Sequence, residues 1–312
     1  MKVCAVGLGQ GASYGFNRWG KLGPVDMHFV DINEKRAKSF ARQKDGTYST
    51  ELPDSGIDFA IISTPNHLHV EHAKHFLGMG AKVFIEKPPA LSMEDIKWIE
   101  DNKNEWITVG FQCRFGKAVT AIRERFKDPI LVECWKHRGR DAEYYEDDWH
   151  GKWATDGGVI CQQGIHCVDL VCSLTDEDPI SVQFVGQNNR HDIECEDTAA
   201  LLLEYDGWTA IIHSTTAMDA ISHYGGGSGL KVVQRSGVLQ AGGSSFQDLE
   251  VWEHEDDKPK TRGMGYIEMW TAIEQALSSG GPPPIPACDA IRCMKIVHKA
   301  YGVDSSKLGN LR

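Results

Sequence analysis

Apolar and amphipathic segments alternate along the first third of the chain. The apolar segments predict short strands, and the amphipathic segments between them predict helices. The predicted strands are Lys2–Val6, Met27–Val30, Phe59–Ser63, Lys82–Ile85 and Ile107–Phe111. The predicted helices lie near Glu34–Gln43, Val70–Met79 and Met93–Asn102. Strands that alternate with helices in this way are typical of a parallel sheet.

The pattern changes after Lys117, where most of the remaining segments have the composition and length of strands. Helices are predicted at Ala118–Lys127, Gly158–Leu174, Tyr266–Ser278 and Cys288–Tyr301. Strands are predicted at Ile130–Lys136, Ile180–Val185, Thr198–Tyr205, Thr209–Ser214, Leu230–Gln234 and Leu249–Glu253. Asp206-Gly207 predicts a hairpin between two of these strands. Ser222–Gly229, which is rich in glycine, is predicted to be a flexible loop.

The two halves together predict an α/β protein with two domains. Residues 1–116 would form a Rossmann dinucleotide-binding domain, and residues 117–312 an α+β domain with a large, open, mostly antiparallel sheet. Too few helices follow the second set of strands to cover both faces of that sheet. The uncovered face is therefore a candidate subunit interface, and we expect a homodimer or homotetramer.

Composition and charge narrow the class of protein. The chain has 312 residues, 41% of them hydrophobic, and a net charge of −11, which disfavours nucleic acid and anionic membranes as partners. The sequence contains neither an apolar run of membrane-spanning length nor a signal peptide pattern. Nine cysteines, an odd number without a Cys-x-x-Cys pair, predict buried reduced thiols in a cytoplasmic protein.

A glycine-rich turn follows the first predicted strand, at Gly7-Leu8-Gly9-Gln10-Gly11-Ala12. Glycines at such a turn let the backbone approach a pyrophosphate, although an ordinary βα turn can look the same. Asp31 ends the second strand, close to the spacing of about 20 residues expected for a ribose-binding acid. A carboxylate there would repel a 2′-phosphate, which favours NAD over NADP, although Lys35 and Arg36 follow closely and could hold a phosphate.

A second loop, Ser63-Thr64-Pro65-Asn66-His67-Leu68-His69, follows the third strand. It would lie under the nicotinamide ribose, or it could simply begin a helix with Asn66 as its cap. The histidines here are His67, His69, His72 and His75. Because no carboxylate or cysteine completes a ligand set, we expect surface histidines and no metal.

Two further motifs carry groups capable of proton transfer. Lys87, in Glu86-Lys87-Pro88, follows a strand of the same predicted sheet, at the end where open α/β sheets bind ligands. Combined with the glycine turn, it suggests hydride transfer to or from a hydroxyl carbon. Gln162 and His166 are four residues apart on a predicted helix and so share a face. Asp169 could orient His166, and the glycines at 157 and 158 would allow a ligand to approach closely.

With these motifs in place, the chain resembles the Gfo/Idh/MocA oxidoreductases along essentially its whole length. The motifs that carry the resemblance are Gly7 to Ala12, Ser63 to His67, Glu86-Lys87-Pro88, Gly157 to Asp169 and Glu196-Asp197-Thr198-Ala199-Ala200, together with the Pro-rich stretch before Asp289. The resemblance implies a Rossmann domain plus an open-sheet domain that bind NAD(P) and a cyclic polyol. It also implies that Lys87 contacts the reacting hydroxyl and that His166 is the acid/base.

Gln112 and Gln162 differ from the residues that are common at these positions in the family. Gln112 lies where members often carry asparagine near the nicotinamide. Gln162 lies where many members have aspartate. Because glutamine cannot accept a proton at neutral pH, this departure shifts proton transfer to His166 or Lys87 and argues against a simple inositol dehydrogenase. Amides at this position occur in members that act on other sugars, including some nucleotide sugars.

The sequence thus predicts an enzyme that transfers a hydride between NAD and a ring hydroxyl of a sugar, a sugar derivative or a nucleotide sugar. The alternatives are a ketosugar reductase working in reverse and a non-catalytic NAD- or sugar-sensing regulator, against which the intact Lys87 and His166 argue. The predicted cofactor contacts are Gly7, Gly9, Gln10, Gly11, Ala12, Asp31, Ile32, Ser63, Thr64, Pro65, Asn66, His69, Glu86, Lys87 and Gln112.

The substrate side is predicted from a polar and aromatic stretch and the helix after it. The predicted substrate contacts are Arg114, Arg138, Tyr145, Trp149, Trp153, Gln162 and His166. Aromatic rings suit sugar faces, and the cations Arg138, Arg140 and Lys152 suit a carboxylate or phosphate. The alternative for this stretch is a structured surface loop whose cations face solvent or pair with neighbouring acids.

Overall fold

The computed structural model describes residues 1–9, 25–219, 227–252, 261 and 263–302. The chain forms two compact units. The first contains Met1–Ala90, Glu94–Gly110 and Met269–Ile291, and the second contains Leu91–Met93, Phe111–Glu268 and the chain from Arg292. The sequence placed every residue after 116 in the second domain, whereas Met269–Ile291 packs with the first sheet.

The first unit is built on a parallel sheet of six strands in the order β3-β2-β1-β4-β5-β6. The strands are β1 (Lys2–Val6), β2 (Asp26–Val30), β3 (Thr47–Ser49), β4 (Phe59–Ile62), β5 (Lys82–Ile85) and β6 (Ile107–Val109). The helices are α1 (Glu34–Lys44), α2 (His69–Gly78) and α3 (Met93–Asp101). This strand order is that of a Rossmann domain, so the predicted class is confirmed. The short, polar edge strand β3 was not predicted.

Burial explains why these segments form central strands. All four residues of β4 are buried, as expected when helices cover both faces of a parallel sheet. The Pro-rich segment that ends at Pro286 also packs here, since the Val109 amide donates to Ile285 O (3.1 Å) and the Ile285 amide to Thr108 Oγ1 (3.2 Å). These hydrogen bonds fix the Pro-rich segment around Ile285 to the edge strand β6.

The second unit contains a mixed sheet of seven strands in the order β13-β12-β11-β7-β10-β9-β8. The strands are β7 (Pro129–His137), β8 (Ser181–Gln187), β9 (Thr198–Tyr205), β10 (Trp208–Thr215), β11 (Gly227–Gln234), β12 (Gly237–Gly242) and β13 (Asp248–Val251). Only the β7–β10 pairing is parallel. The open, mostly antiparallel sheet is therefore confirmed.

The structure contains the predicted hairpin of this sheet and extends strand β11 into the predicted loop. The Asp206-Gly207 hairpin is confirmed, because Tyr205 pairs with Trp208 and Gly207 has a φ of +80°. The flexible loop predicted at Ser222–Gly229 is wrong for Gly227–Gly229, which begin strand β11, while residues 222–226 lie outside the described part of the chain. Strand β12, which is rich in small residues, was not predicted.

The remaining helices are α4 (Lys117–Arg125), α5 (Ile165–Leu174), α6 (Tyr266–Ser279) and α7 (Ala287–Tyr301). The predicted helix Gly158–Leu174 is a π-helical turn, Ile160–Gly164, followed by α5. Helix α5 packs on β7 and β10. Within the described residues, no helix has both the length and the apolar character needed to cross a membrane. All nine cysteines are free, and eight of them are buried.

Candidate active site

The turn after β1 lies against the loop after β4, where the strand order of the first sheet reverses. Gly7 has a φ of +79°, and a Cβ at this position would lie 2.6 Å from the Thr64 backbone nitrogen. The Gly7 amide donates to Val30 O (3.0 Å), and the Ser63 amide donates to Val6 O (2.8 Å). Only glycine fits here. The structure thus brings Gly7, Ser63 and Thr64 together at the point where open α/β sheets bind ligands.

Asp31 is buried at the end of β2 and anchors the glycine turn. Its carboxylate accepts from the Leu8 amide (2.8 Å) and the Asn33 amide (2.8 Å). The Arg36 guanidinium donates to both of its oxygens, at 3.2 and 3.4 Å. A carboxylate accepts about four hydrogen bonds. A ribose that bound Asp31 would therefore displace Arg36, a competition that the sequence did not reveal.

The other predicted cofactor residues differ in burial, and three of them are not described by the structure. Gln10, Gly11 and Ala12 lie outside the described residues. Ile32 is 95% exposed beside Asp31, an unusual environment for a large apolar side chain. Asn66 is buried and is the first residue of a 3₁₀ turn, Asn66–Leu68, which Pro65 precedes. Asn66 is therefore not the helix cap that one interpretation of the sequence assigned.

His69 is fully buried between the loop after β4 and the loop after β5. Its Nδ1 lies 2.7 Å from Pro88 O, and its Nε2 lies 2.9 Å from Thr64 O. Burial lowers the pKa of His69 to about 4, because it disfavours the cation more strongly than the two carbonyls favour it. Both ring nitrogens face backbone carbonyls. His69 therefore connects the two loops, and its contact with a cofactor stays a prediction.

The neighbouring histidines do not form a metal site. His67 is exposed, as predicted, and His72 and His75 are half-buried. The ring of His72 contacts Thr64 Oγ1 (3.1 Å) and that of His75 contacts Pro53 O (2.9 Å). In the described ranges, no group of three histidine, cysteine, aspartate or glutamate side chains is arranged to hold a metal ion.

Glu86 and Lys87 follow β5, and the Lys87–Pro88 peptide is cis. The Lys87 amide donates to Glu86 Oε2 (3.3 Å), and Lys87 is half-buried. Burial raises the pKa of Glu86, although the charge of Lys87 opposes the shift. A Cβ at Gly110 would lie 3.1 Å from Glu86 Oε2, so glycine at 110 leaves room for this carboxyl group. Glu86 is thus enclosed by protein at the base of the Lys87 loop.

In the second unit, His166 is buried near the start of α5. Its Nδ1 lies 3.7 Å from Cys113 Sγ, and its ring meets Phe111 edge to face at 6.2 Å. Cys113 follows Gln112, whose Nε2 donates to Tyr266 OH (3.2 Å). No pattern in the sequence predicts the contact between Cys113 and His166, because a cysteine in an apolar segment is usually a core residue.

Arg114 and Asp169 form a buried ion pair in the same region. Arg114 Nε lies 2.9 Å from Asp169 Oδ2, and its Nη2 lies 2.6 Å from Oδ1. Burial raises the pKa of Asp169, against the effect of Arg114. Asp169 hydrogen-bonds to Arg114 and not to His166, so its predicted role in orienting that imidazole is wrong. Arg114 is held by this pair, and its predicted contact with substrate stays a prediction.

Gln162 lies in the π-helical turn, so the plain α-helical spacing assumed between it and His166 does not hold. Its Nε2 donates to Tyr144 OH, and its Oε1 accepts from Gln163 Nε2. The Arg140 guanidinium stacks on the Tyr144 ring, with Cζ 4.0 Å from the ring centroid. A continuous chain of contacts therefore runs from Arg140 through Tyr144 to the residue four positions before His166.

The other predicted substrate residues are less closely associated with this chain of contacts. Tyr145 OH bonds to Thr216 Oγ1 (2.8 Å), and Trp149 stacks on His150 at 3.7 Å. Trp153 packs edge to face on Tyr301 at 5.2 Å. Arg138 is exposed, whereas Arg140 is half-buried. These side chains are thus held by contacts within the protein, and their contact with substrate stays a prediction.

The two glycines before the π-helical turn accommodate protein side chains. Gly158 has a φ of +82°, and a Cβ there would lie 2.3 Å from Glu196 Oε2. A Cβ at Gly157 would lie 2.9 Å from Leu91 Cδ2. The close approach that the sequence assigned to a ligand is therefore made by Glu196 and Leu91. Glu196 itself was recognised only as part of a motif and not as a buried acid.

Two protein-family models match the chain. Residues 1–105 match a model described as oxidoreductase family, NAD-binding Rossmann fold. Residues 123–233 match a model described as GFO/IDH/MocA C-terminal domain. Together the two models cover most of the chain and fall on both sheets.

Curated relatives are similar at lower coverage. Glucose-6-phosphate 3-dehydrogenase of Bacillus subtilis (strain 168) is 28% identical over 190 residues, which cover 56% of this chain and 53% of that protein. Inositol 2-dehydrogenase of Rhizobium meliloti (strain 1021) is 27% identical over 179 residues, 53% of this chain and 49% of that protein. The chain therefore spans about half the length of these curated relatives.

Solved structures share the fold over nearly the full chain. The WlbA dehydrogenase from Bordetella pertussis, in complex with NADH and UDP-GlcNAcA, has a TM-score of 0.87 at 21% identity and covers 98% of this chain and 96% of its own. The myo-inositol dehydrogenase from Lactobacillus casei, in complex with NAD(H) and myo-inositol, has a TM-score of 0.75 at 19% identity, covering 98% and 95%. At these identities the likeness concerns the fold alone.

Proposed function

The chain belongs to the Gfo/Idh/MocA family of NAD-binding oxidoreductases, and from that premise we propose that it is an NAD-dependent dehydrogenase of a ring hydroxyl on a sugar or sugar derivative. The observation that carries the proposal is the position of Lys87. This lysine follows β5 in a parallel sheet whose strand order and glycine turn suit a dinucleotide.

The residues at the end of this sheet fit NAD. Gly7, with its positive φ and close backbone neighbours, suits a turn that a pyrophosphate can approach. Asp31 would hold the adenosine ribose once Arg36 moves aside, and the exposed Ile32 offers an apolar surface for the adenine. When bound, the cofactor supplies the acceptor for the hydride that leaves the alcohol carbon.

Side chains of the protein would accept the proton that the substrate hydroxyl releases. In the oxidation direction the hydroxyl O–H bond breaks, the C–H electron pair leaves with the hydride, and a carbonyl forms. Lys87, as an ammonium, would polarise the reacting oxygen. His166 would relay the proton. Because its Nδ1 faces the Cys113 thiol, we assign this relay to Nε2. The reverse reaction, ketone reduction, would use the same groups.

The contacts of Gln162 support the assignment of proton transfer to Lys87 and His166. Its amide is held at both ends, by Tyr144 and by Gln163, and an amide acts as neither an acid nor a base at neutral pH. It would position substrate and would not transfer protons. Gln162 is thus a neutral residue at a position where many family members carry a charge.

Replacement of Lys87 by methionine tests the proposal. Loss of a positioned acid/base typically slows turnover by about 10²–10⁴-fold. Lys87→Met should do so while NADH affinity, followed by fluorescence, changes only a few-fold. Lys82→Met is the matched control, since Lys82 lies at the other end of β5 with its Nζ 5.2 Å from the Trp106 ring centroid.

Two outcomes would contradict the proposal in different ways. Near-normal turnover in Lys87→Met would show that Lys87 is not the group that acts on the substrate oxygen. Failure of the unmutated protein to reduce NAD with every neutral, acidic and nucleotide sugar tested, despite NAD binding, would favour a sensing regulator over an enzyme.

A further inference from the structure

Arg140 is a half-buried cation without an acidic partner among the described residues. Its Nε is buried and makes no hydrogen bond. Its neighbours are the Tyr144 ring, with Cζ at 4.0 Å from the centroid, and a second cation, Arg138. Burial lowers the pKa of Arg140, and Tyr144 partly opposes that effect. Nothing in this surrounding compensates the positive charge with a negative one.

Three other arginines of the second unit form ion pairs with aspartates. Arg114 is paired with Asp169 at 2.6 Å, Arg190 with Asp219 at 2.6 Å, and Arg292 with Asp178 at 3.3 Å. A guanidinium removed from water without an anion is costly, which is why buried charges are usually paired. Arg140 differs from the other two arginines of this unit that are shielded from solvent, Arg114 and Arg292, because no ion pair with an acid of the described chain accompanies its burial.

The position of Arg140 connects it to the residues of the proposed reaction. Tyr144 OH accepts from Gln162 Nε2, and Gln162 belongs to the π-helical turn that leads into α5 and His166. The turn that carries Tyr144 is fixed in place, because Tyr145 OH bonds to Thr216 Oγ1 (2.8 Å) and the Arg140 amide donates to Thr216 O (3.0 Å). Arg140 is therefore held by its backbone, while no acid of the described residues pairs with its guanidinium.

We propose that Arg140 binds an anionic substituent, a carboxylate or a phosphate, on the sugar ring that this site oxidises. Guanidinium groups hold both anions through paired, charge-assisted hydrogen bonds. The neutral Gln162 suits this role, since a carboxylate at that position would place a competing negative charge against Tyr144. This inference rests on the proposed dehydrogenase function and specifies its substrate class.

Matched sets of sugars test the inference. Each set contains a neutral pyranose, its uronic acid and its 6-phosphate, and NADH formation gives kcat/KM for each. The unmutated protein should prefer one or both anionic sugars. Arg140→Gln should lower the ratio of anionic to neutral kcat/KM about 100-fold, mostly through KM, as loss of one partner of a desolvated charge pair does. The uronic acid and phosphate arms show which anion is used.

Arg190→Gln is the control, because Arg190 is an arginine of the same unit that already has its own acid. It should leave the anionic-to-neutral ratio unchanged. Arg140→Lys keeps the charge without the planar fork, and it should retain part of the preference. Equal kcat/KM values for neutral and anionic sugars in the unmutated protein would overturn the inference while leaving the dehydrogenase proposal intact.

Thermal unfolding supplies a readout that does not need turnover. Arg140→Met should raise or preserve the Tm of the ligand-free protein, because it removes an uncompensated charge. It should also abolish any increase in Tm that a uronic acid or sugar phosphate causes in the unmutated protein. If no sugar reduces NAD, an anion-specific Tm increase that depends on Arg140 would still support the anion site. Absence of such an increase would overturn it.

Discussion

Buried polar side chains in this protein differ in whether their hydrogen bonds are completed within the fold. The neutral His69 ring donates its one N–H to a backbone carbonyl, and both oxygens of Asp169 accept from Arg114. The Nε of Arg140 has no such partner. A completed group stabilises the structure and becomes costly when its partner is removed. An incomplete one is a candidate for a ligand, which is why residue type alone did not separate the two.

Cofactor preference should depend on Asp31 and Arg36 together. Asp31→Ser removes the carboxylate that repels a 2′-phosphate and at the same time frees the Arg36 guanidinium. We therefore expect the preference for NAD over NADP to relax or invert, by about 10-fold or more. The measurement is kcat/KM for both cofactors with one sugar.

The double variant Asp31→Ser/Arg36→Ala is the control for that explanation. Without the guanidinium it should lose the gain with NADP while keeping the weakened binding of NAD. Tighter binding of NADP than NAD by the unmutated protein would show that Asp31 does not set the preference.

His69 should matter for stability and for turnover. His69→Ala leaves a buried carbonyl of Thr64 or Pro88 without its donor, which costs about 1–3 kcal/mol in the free energy of unfolding. Because these carbonyls belong to the loops that carry Thr64 and Lys87, kcat should fall more than NADH affinity. Chemical denaturation and steady-state kinetics measure the two effects. His75→Ala, on the same helix but bonded to Pro53 O, should affect stability without a comparable loss of kcat.

At the scale of elements, the π-helical turn before α5 depends on a buried acid. Glu196 Oε1 accepts from Tyr301 OH and from the Ile160 amide, and the Val159 amide donates to Glu196 O (3.2 Å). Gly158, at positive φ, leaves room for the carboxyl group. π-helical turns often occur at functional sites. Here the turn changes the spacing between Gln162 and His166, and a glutamate from the β8–β9 connection holds its start.

The stability of this arrangement should depend on pH. Burial raises the pKa of Glu196 to about 8, above the ordinary value for the unfolded chain. The folded state therefore keeps a proton that the unfolded state has released. The contribution is fully present below the unfolded pKa of about 4.3 and is lost as pH rises through about 8, at up to about 1.4 kcal/mol per pH unit.

Glu196→Gln keeps a neutral hydrogen-bonding side chain and should flatten this part of the profile between pH 5 and pH 8. The measurement is the free energy of unfolding from denaturant titrations across that range. Glu204→Gln, at an exposed position on β9, is the control and should leave the slope as it is. An unchanged slope in Glu196→Gln would place the proton uptake on another group.

At the scale of the whole molecule, the second sheet offers a face for association. Strand pairing places Val185, Ala200, His213, Trp135 and Gly229 in one row across that face. Leu202 lies in the adjacent row, and Val185 and Leu202 are 64% and 38% exposed. The Trp135 ring stacks on His213 and covers Gly229. Helix α5 packs on the buried side of the same sheet.

We expect the protein to form a homodimer or homotetramer through this face. Leu202→Arg would place a charge in the apolar part of such an interface, and light scattering at micromolar concentration should then give a smaller particle. Ile180→Arg is the control, because Ile180 is 63% exposed but precedes β8 and lies outside the rows of paired residues. A monomeric unmutated protein would refute the prediction.

Local patterns were enough to predict much of the architecture. The alternation of strands and helices gave the parallel sheet, and Asp206-Gly207 gave the hairpin, because periodicity and turn chemistry act over a few neighbouring residues. Strands β3 and β12 were not predicted, because they are short or rich in small residues and form only through pairing with neighbouring strands. The extent of β11 was missed for the same reason.

The sequence by itself determined the family, the Rossmann sheet and the motifs around Gly7, Lys87 and His166, since each is a local arrangement of residue types. Only the tertiary structure decided which polar groups meet. Arg114 pairs with Asp169, and His69 joins two loops, whereas Arg140 meets no acid within the part of the chain that the structure describes. Such partnerships depend on how distant segments pack, and packing is a property of the folded chain that no local pattern records.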